Sequence, residues 1–149
     1  MQRTREDNGI PEAIANPVYA EAHVQFDVEG RSSEGVMYIQ TTDQTDCQKQ
    51  SRMAERSIKE GQASICPTSC KLQQIECKNE LAPRYAKLFD NKPASVTYVS
   101  YARGNRSERE LRLIYWGVTV DESDRLCSVV PDLQKGRKGL VTCVRARQG

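Results

Sequence analysis

Ala22-His23-Val24-Gln25-Phe26-Asp27-Val28 is the stretch on which the reading of the chain turns, because Val24, Phe26 and Val28 alternate with His23, Gln25, Asp27 and Glu29. A period of two puts every second side chain on one side of the backbone, so this is a strand with one buried face. The run Gly30-Arg31-Ser32-Ser33-Glu34-Gly35 is rich in turn residues and is expected to reverse the chain, with Val36-Met37-Tyr38-Ile39-Gln40 returning as the second strand of a hairpin. Toward the N-terminus the pattern fades. Residues 1–20 carry charges, Gly9, Pro11 and Pro17 without a sustained period, and read as a flexible leader or tether to a single domain over 21–149.

Beyond the hairpin, Asp43, Thr45 and Asp46 open a helix that runs to Glu60, with Lys59 in its last turn and Gly61 just past its end. Cys47, Ser51, Ala54 and Ile58 share its inward stripe. A short strand is expected over 62–66. The stretch from Cys70 to Cys77 fits either a short helix or a loop of extended chain, and Leu81, Tyr85, Leu88 and Phe89 make a further amphipathic helix ending before Pro93. Residues 94–101 then resemble 22–28 in pattern, Leu111, Leu113 and Tyr115 return, and an acid-rich helix start at Thr119 carries Cys127 as the earlier one carries Cys47. Pro131 is expected to stop or break that helix. Leu140-Val141-Thr142-Cys143-Val144 closes the chain as a strand. The expected fold is α+β: an antiparallel sheet of four to six strands built from two pseudo-repeated ββαβ halves, with two main helices packed on one face.

The six cysteines, Cys47, Cys66, Cys70, Cys77, Cys127 and Cys143, are an even number in a small chain. They read as three disulfides formed where thiols are not kept reduced, which places the protein in a periplasm or outside the cell. The repeat suggests Cys47 with Cys66, Cys127 with Cys143, and Cys70 with Cys77. A metal site is disfavoured: Cys66 and Cys70 have the spacing C-x3-C, no second paired arm follows, and His23 is the sole histidine. An exported chain needs a signal segment, yet residues 1–20 hold no apolar core, so the expectation is a mature form with an added start methionine.

Composition and motifs exclude more than they assign. Twenty-two basic and twenty acidic residues give a net charge of +2, which does not point to nucleic acid. The basic run from Lys135 to Arg147 reads as solvated charge. No apolar stretch reaches the roughly 20 residues of a membrane span. There is no G-x-S-x-G elbow, no phosphate loop or dinucleotide fingerprint, and no cofactor is implied. Acid groups such as Glu108 with Glu110, or Asp121, Glu122 and Asp124, sit at turns, outer faces or a helix start, where acids are ordinary. Asn105-Arg106-Ser107 has the form of a glycosylation sequon at a hairpin tip.

The one surface that stands out is the second hairpin, whose strands are apolar on both sides. Val96, Tyr98, Leu111, Leu113 and Tyr115 are expected to fill one face, leaving Val99, Tyr101, Ile114 and Trp116 to find another cover. Either helices cover them, or Tyr101 and Trp116 form an exposed patch bordered by Arg103 and Arg112, the composition favoured where proteins meet. The leading function is therefore an extracytoplasmic binding module that recognises another protein through a sheet face or hairpin tips. The alternatives are a small carboxylate-dependent hydrolase and a structural subunit of an envelope or secreted assembly.

Overall fold

The computed structural model describes residues 14–28, 30–60 and 70–147. Strands β1 (Val18–Val28) and β2 (Arg31–Thr41) form a long antiparallel hairpin in which Val18 lies opposite Thr41 and Val28 opposite Arg31. The turn is much tighter than the six-residue run expected from composition. Ser33 and Gly35 continue β2 on its inward side, opposite Phe26 and Val24. They are small for a reason: a Cβ on Gly35 would lie 2.7 Å from the Ile114 carbonyl oxygen and 3.0 Å from the Phe26 ring. What composition marks as a turn is a strand making room for an aromatic ring.

Helix α1 (Gln44–Lys59) follows at the expected place. The Asp43 carboxylate accepts the Asp46 N–H at 2.8 Å, and Cys47, Ala54 and Ile58 point inward. The short strand expected over 62–66 lies outside the described residues. Cys70–Lys78, which periodicity leaves between helix and loop, is strand β3, antiparallel to β1. Its pairing shifts between His23 and Val24, so that Leu72 faces Val24 and Ile75 faces Ala22. This bulge sends two side chains three residues apart to the same face, which erases the period of two from the sequence.

The amphipathic stretch after it is broken in two: α2 (Pro83–Ala86) and a 3-10 turn (Lys87–Asp90), ended by Asn91 at φ +59°. Strands β4 (Thr97–Tyr101) and β5 (Leu111–Tyr115) form the second hairpin. Helix α3 (Val120–Ser128) begins with a capping box between Thr119 and Glu122. The helix does break before Pro131, at Val129, and Pro131 then stands in the first turn of α4 (Val130–Gln134), where its missing N–H costs nothing. Strand β6 (Val141–Val144) completes one six-stranded antiparallel sheet in the order β3-β1-β2-β5-β4-β6.

Two hydrophobic cores lie on opposite faces of this sheet. On the first face, β1, β2, β4 and β5 meet α1, α3 and α4 through residues such as Phe26, Met37, Tyr101, Leu113, Ile58, Leu126 and Leu133. On the second face, Val36, Tyr38, Tyr98 and Ile114 are covered by Leu88 and Ala94 of the 81–96 segment. The second hairpin is thus buried on both sides, but not in the grouping expected. Cross-strand register pairs Tyr98 with Ile114 and Val99 with Leu113, so Tyr98, Ile114 and Trp116 share the second face while Val99, Tyr101, Leu113 and Tyr115 share the first.

Two disulfides are described. Cys127 joins Cys143 as expected, tying α3 to β6 across 5.4 Å between Cα atoms. Cys47 joins Cys77, not Cys66, with Cα atoms 6.2 Å apart. This also overturns the pairing of Cys70 with Cys77, since both lie on β3, and seven strand residues hold them roughly 23 Å apart. Cys77 is opposite Ala20 near the end of the sheet where β2 runs into α1, which is where Cys47 sits. Cys70 is also disulfide-bonded, and Cys66 lies outside the described residues. Among the described residues, no helix is long and apolar enough to cross a membrane.

Candidate functional site

Helices α1, α3 and α4 pack on the first face, and on the second face part of the sheet itself meets solvent. The 81–96 segment covers the second face over β2, β5 and β4. Over β1 that layer reaches Tyr19, through Phe89, and farther along β1 and on β3 His23, Gln74 and Glu76 are exposed side by side. The cover ends in a line of aromatic rings: Phe89 lies 5.4 Å from Tyr19, Tyr85 lies 5.3 Å from Tyr38, and Trp116 lies 6.0 Å from Tyr85. A polar shelf therefore borders an aromatic wall.

The shelf is organised around one buried carboxylate. Glu21 points to the same face as His23, is 8% exposed, and lies opposite Tyr38 on β2 and Glu76 on β3. The Tyr38 hydroxyl donates to it at 2.9 Å, and Nζ of Lys78 and Nε2 of His23 each lie 3.0 Å from its other oxygen. Burial alone would push the Glu21 carboxyl up, but the hydrogen bonds from His23, Lys78 and Tyr38 outweigh it and hold the group below the usual carboxylate range. The same contacts leave marks on the donors. Burial first, and then the bond to Glu21, raise the Tyr38 phenol, and Glu21 raises Lys78. Lys78 also lies 3.5 Å from Glu76, so one ammonium bridges two carboxylates that face each other across the strand pair. At the far end of the wall, Arg84, Tyr85, Val96 and Trp116 line a notch of about 100 Å³, with the Arg84 guanidinium 4.7 Å from the Tyr85 ring centre.

The four residues singled out for partner binding are not brought into one patch. Tyr101 is fully buried on the first face, under the Arg137 guanidinium. Arg112 is 1% exposed on the second, stacked 4.8 Å from the Phe89 ring and donating to the Leu88, Phe89 and Leu111 carbonyls and to Glu110. Arg103 sits in the loop between β4 and β5, where its backbone N–H donates to Glu110. Trp116, at the opposite end of β5, is half-buried and belongs to the aromatic wall. Glu21, Tyr38 and Lys78 are the site residues that sequence reasoning missed. Extending the alternation back through Tyr19 and Glu21 would have placed Glu21 on the face of His23, but Lys78 was hidden by the bulge in β3.

The hairpin tips are tied down. Arg31 beside the first turn holds Glu122 through both its Nε and a terminal nitrogen, and Glu122, bound by Arg31 and by the Thr119 N–H, falls to a pKa of about 2. At the second tip the Glu108 carboxylate accepts the N–H groups of Gly104, Lys138 and Gly139, each within 2.9 Å. Burial raises Glu108, but those three bonds hold it low. Asp46 is likewise raised by burial and then pulled to about 2 by Arg109, which grips both of its oxygens, with help from Thr42 and Gln50. Every carboxylate shifted from its ordinary range among the described residues is shifted down, the wrong direction for a general acid at neutral pH. No known protein family, curated protein or solved structure matches the chain.

Proposed function

We propose that the protein is an extracytoplasmic binding module that docks a protein partner on the uncovered part of its second sheet face. The observation that carries this reading is the incomplete layer: the 81–96 segment stops at the Phe89, Tyr85 and Trp116 wall and leaves His23, Gln74 and Glu76 open beside it. Aromatic anchors next to polar groups, with a notch sized for one side chain, are what protein interfaces use. Glu21 makes the shelf rigid, since its three partners come from β1, β2 and β3.

The other surfaces of the fold support recognition less well. Both hairpin tips are held against the body by Glu122 and Glu108. The outer edge of β3 carries a bulge and Lys71, features that discourage strand addition. Two disulfides that each tie a helix to an edge strand support an oxidising location, and the sheet order supports reading the chain as two related ββαβ halves meeting at β2 and β5.

The test is retention of proteins from a secreted or envelope extract on the immobilised chain. Wild type is compared with Trp116→Ala, with the pair Gln74→Arg and Glu76→Arg, and with the control pair Lys49→Glu and Arg52→Glu on the outer side of α1. The expected result is a partner held by wild type and by the α1 control and lost by both face variants, with circular dichroism unchanged. Equal retention by all four would refute the reading. A concentration-dependent mass that disappears only in the face variants would identify the partner as a second copy of this chain.

A further inference from the structure

On the opposite side of the sheet, the helical layer has a gap above the central strand pair. Helix α1 packs on β1, β2 and β3, while α4 packs on β6. Between them, where Ile39 of β2 faces Leu111 of β5, a cavity of about 270 Å³ opens. Its floor is apolar and buried: Ile39, Leu111 and Ala54. Met53 stands at its mouth, 49% exposed. The far wall is the loop between β4 and β5 together with the turn after α4, and it brings Glu108, Arg109 and Arg137 to the cavity.

These three charges differ in what they have left to give. Glu108 accepts from three backbone N–H groups and its charge also faces Arg137, while Arg109 holds Asp46. Arg137 spends one terminal nitrogen on the Ala102 and Arg109 carbonyls, and its guanidinium lies 5.4 Å from the Tyr101 ring. Its Nε is buried without an acceptor among the described residues. A buried donor left unpaired is costly, and a guanidinium is best satisfied by a carboxylate.

We infer that this crevice binds a small organic monocarboxylate, its apolar body on Ile39, Leu111 and Ala54 and its carboxylate on Arg137. The volume is at the lower end of ligand pockets, which suits a molecule of about ten non-hydrogen atoms. The assignment is independent of the protein-docking surface, since the two lie on opposite faces of the sheet.

The experiment is a ¹⁵N-NMR titration of the full, oxidised chain with 3-phenylpropanoate and, in parallel, its neutral amide. The expected result is saturable shifts confined to α1 around Ala54, to the β4–β5 loop and to Gly136, with the amide binding about tenfold more weakly, as loss of one charge-assisted contact implies. Ala54→Leu should fill the floor and abolish the shifts, and Arg137→Gln should bring the acid down to the affinity of the amide. Should Arg137→Gln loosen the loop it holds, Ala54→Leu and the acid-to-amide ratio still decide. Equal binding of acid and amide, shifts centred on another surface, binding that survives Ala54→Leu, or no shifts at millimolar probe would each overturn the assignment.

Discussion

Arg112→Met separates a structural role for the most buried arginine among the described residues from a recognition role. The guanidinium donates to the Leu88 carbonyl at 2.9 Å, to Leu111 at 3.0 Å, to Phe89 at 3.2 Å and to Glu110 at 2.9 Å. Methionine keeps much of the aliphatic volume and none of the donors. The Leu88 carbonyl retains the Asn91 N–H as a second partner, and Glu110 is partly solvated, so the cost falls mainly on Phe89 and on the lost anchoring of the 3-10 turn. Breaking a buried charged pair usually costs about 3–5 kcal/mol, and here burial itself pushes Arg112 down, a desolvation cost that methionine does not incur. The expected net loss is therefore about 3 kcal/mol, a large part of the roughly 5–15 kcal/mol that holds a domain together. Urea unfolding with the disulfides intact should show a midpoint lower by about 1.5 M at a slope of about 2 kcal/mol/M. Hydrogen exchange should quicken first at residues 88–91. A loss below about 1 kcal/mol, with exchange at 88–91 unchanged, would mean that Arg112 does not anchor the 3-10 turn.

Other substitutions probe other parts of the packing. The Tyr115 hydroxyl is buried on the first face without a hydrogen-bond partner among the described residues, so Tyr115→Phe should leave stability unchanged or raise it by about 1 kcal/mol while the edge-on contact with Phe26 persists; thermal unfolding checks this. Asp46 has its pKa depressed to about 2 in the folded chain from an ordinary value of 3.8, so its ion pair with Arg109 contributes fully above pH 3.8 and is lost as pH falls through 2. Asp46→Asn should accordingly cost about 2 kcal/mol near neutrality and flatten the acid limb of a stability–pH curve over that window. At Gly139, a Cβ would stand 1.8 Å from the Ala102 carbonyl oxygen, and Gly104 is packed against the same backbone. Gly139→Ala should therefore separate the two loops and cost more than about 2 kcal/mol, whereas Gly136→Ala, with nothing near its Cβ, should be almost neutral by the same urea assay.

Elements defined by their own periodicity or caps were legible from the chain alone. Alternation through Val24, Phe26 and Val28 marks β1, the acids around Asp43 mark the start of α1, and Cys127 with Cys143 pair across a short helix-to-strand connection. What depends on a neighbour was not legible. The bulge in β3 cancels the local period, and small residues in β2 imitate a turn because a ring from β1 needs the space. The disulfide partner of Cys47 followed from where β3 ends beside β1, a distance in space that spacing in sequence does not encode. The face on which Tyr101, Arg112 and Trp116 point is likewise set by register across strands. Parity within a strand says which side chains are together, but only the packed sheet says which side is inside. Tertiary structure buried Tyr101 and Arg112 on opposite faces and left Trp116 at the border of an open shelf, because the segment that covers the second face reaches β1 only at Tyr19 and leaves His23, Gln74 and Glu76 exposed.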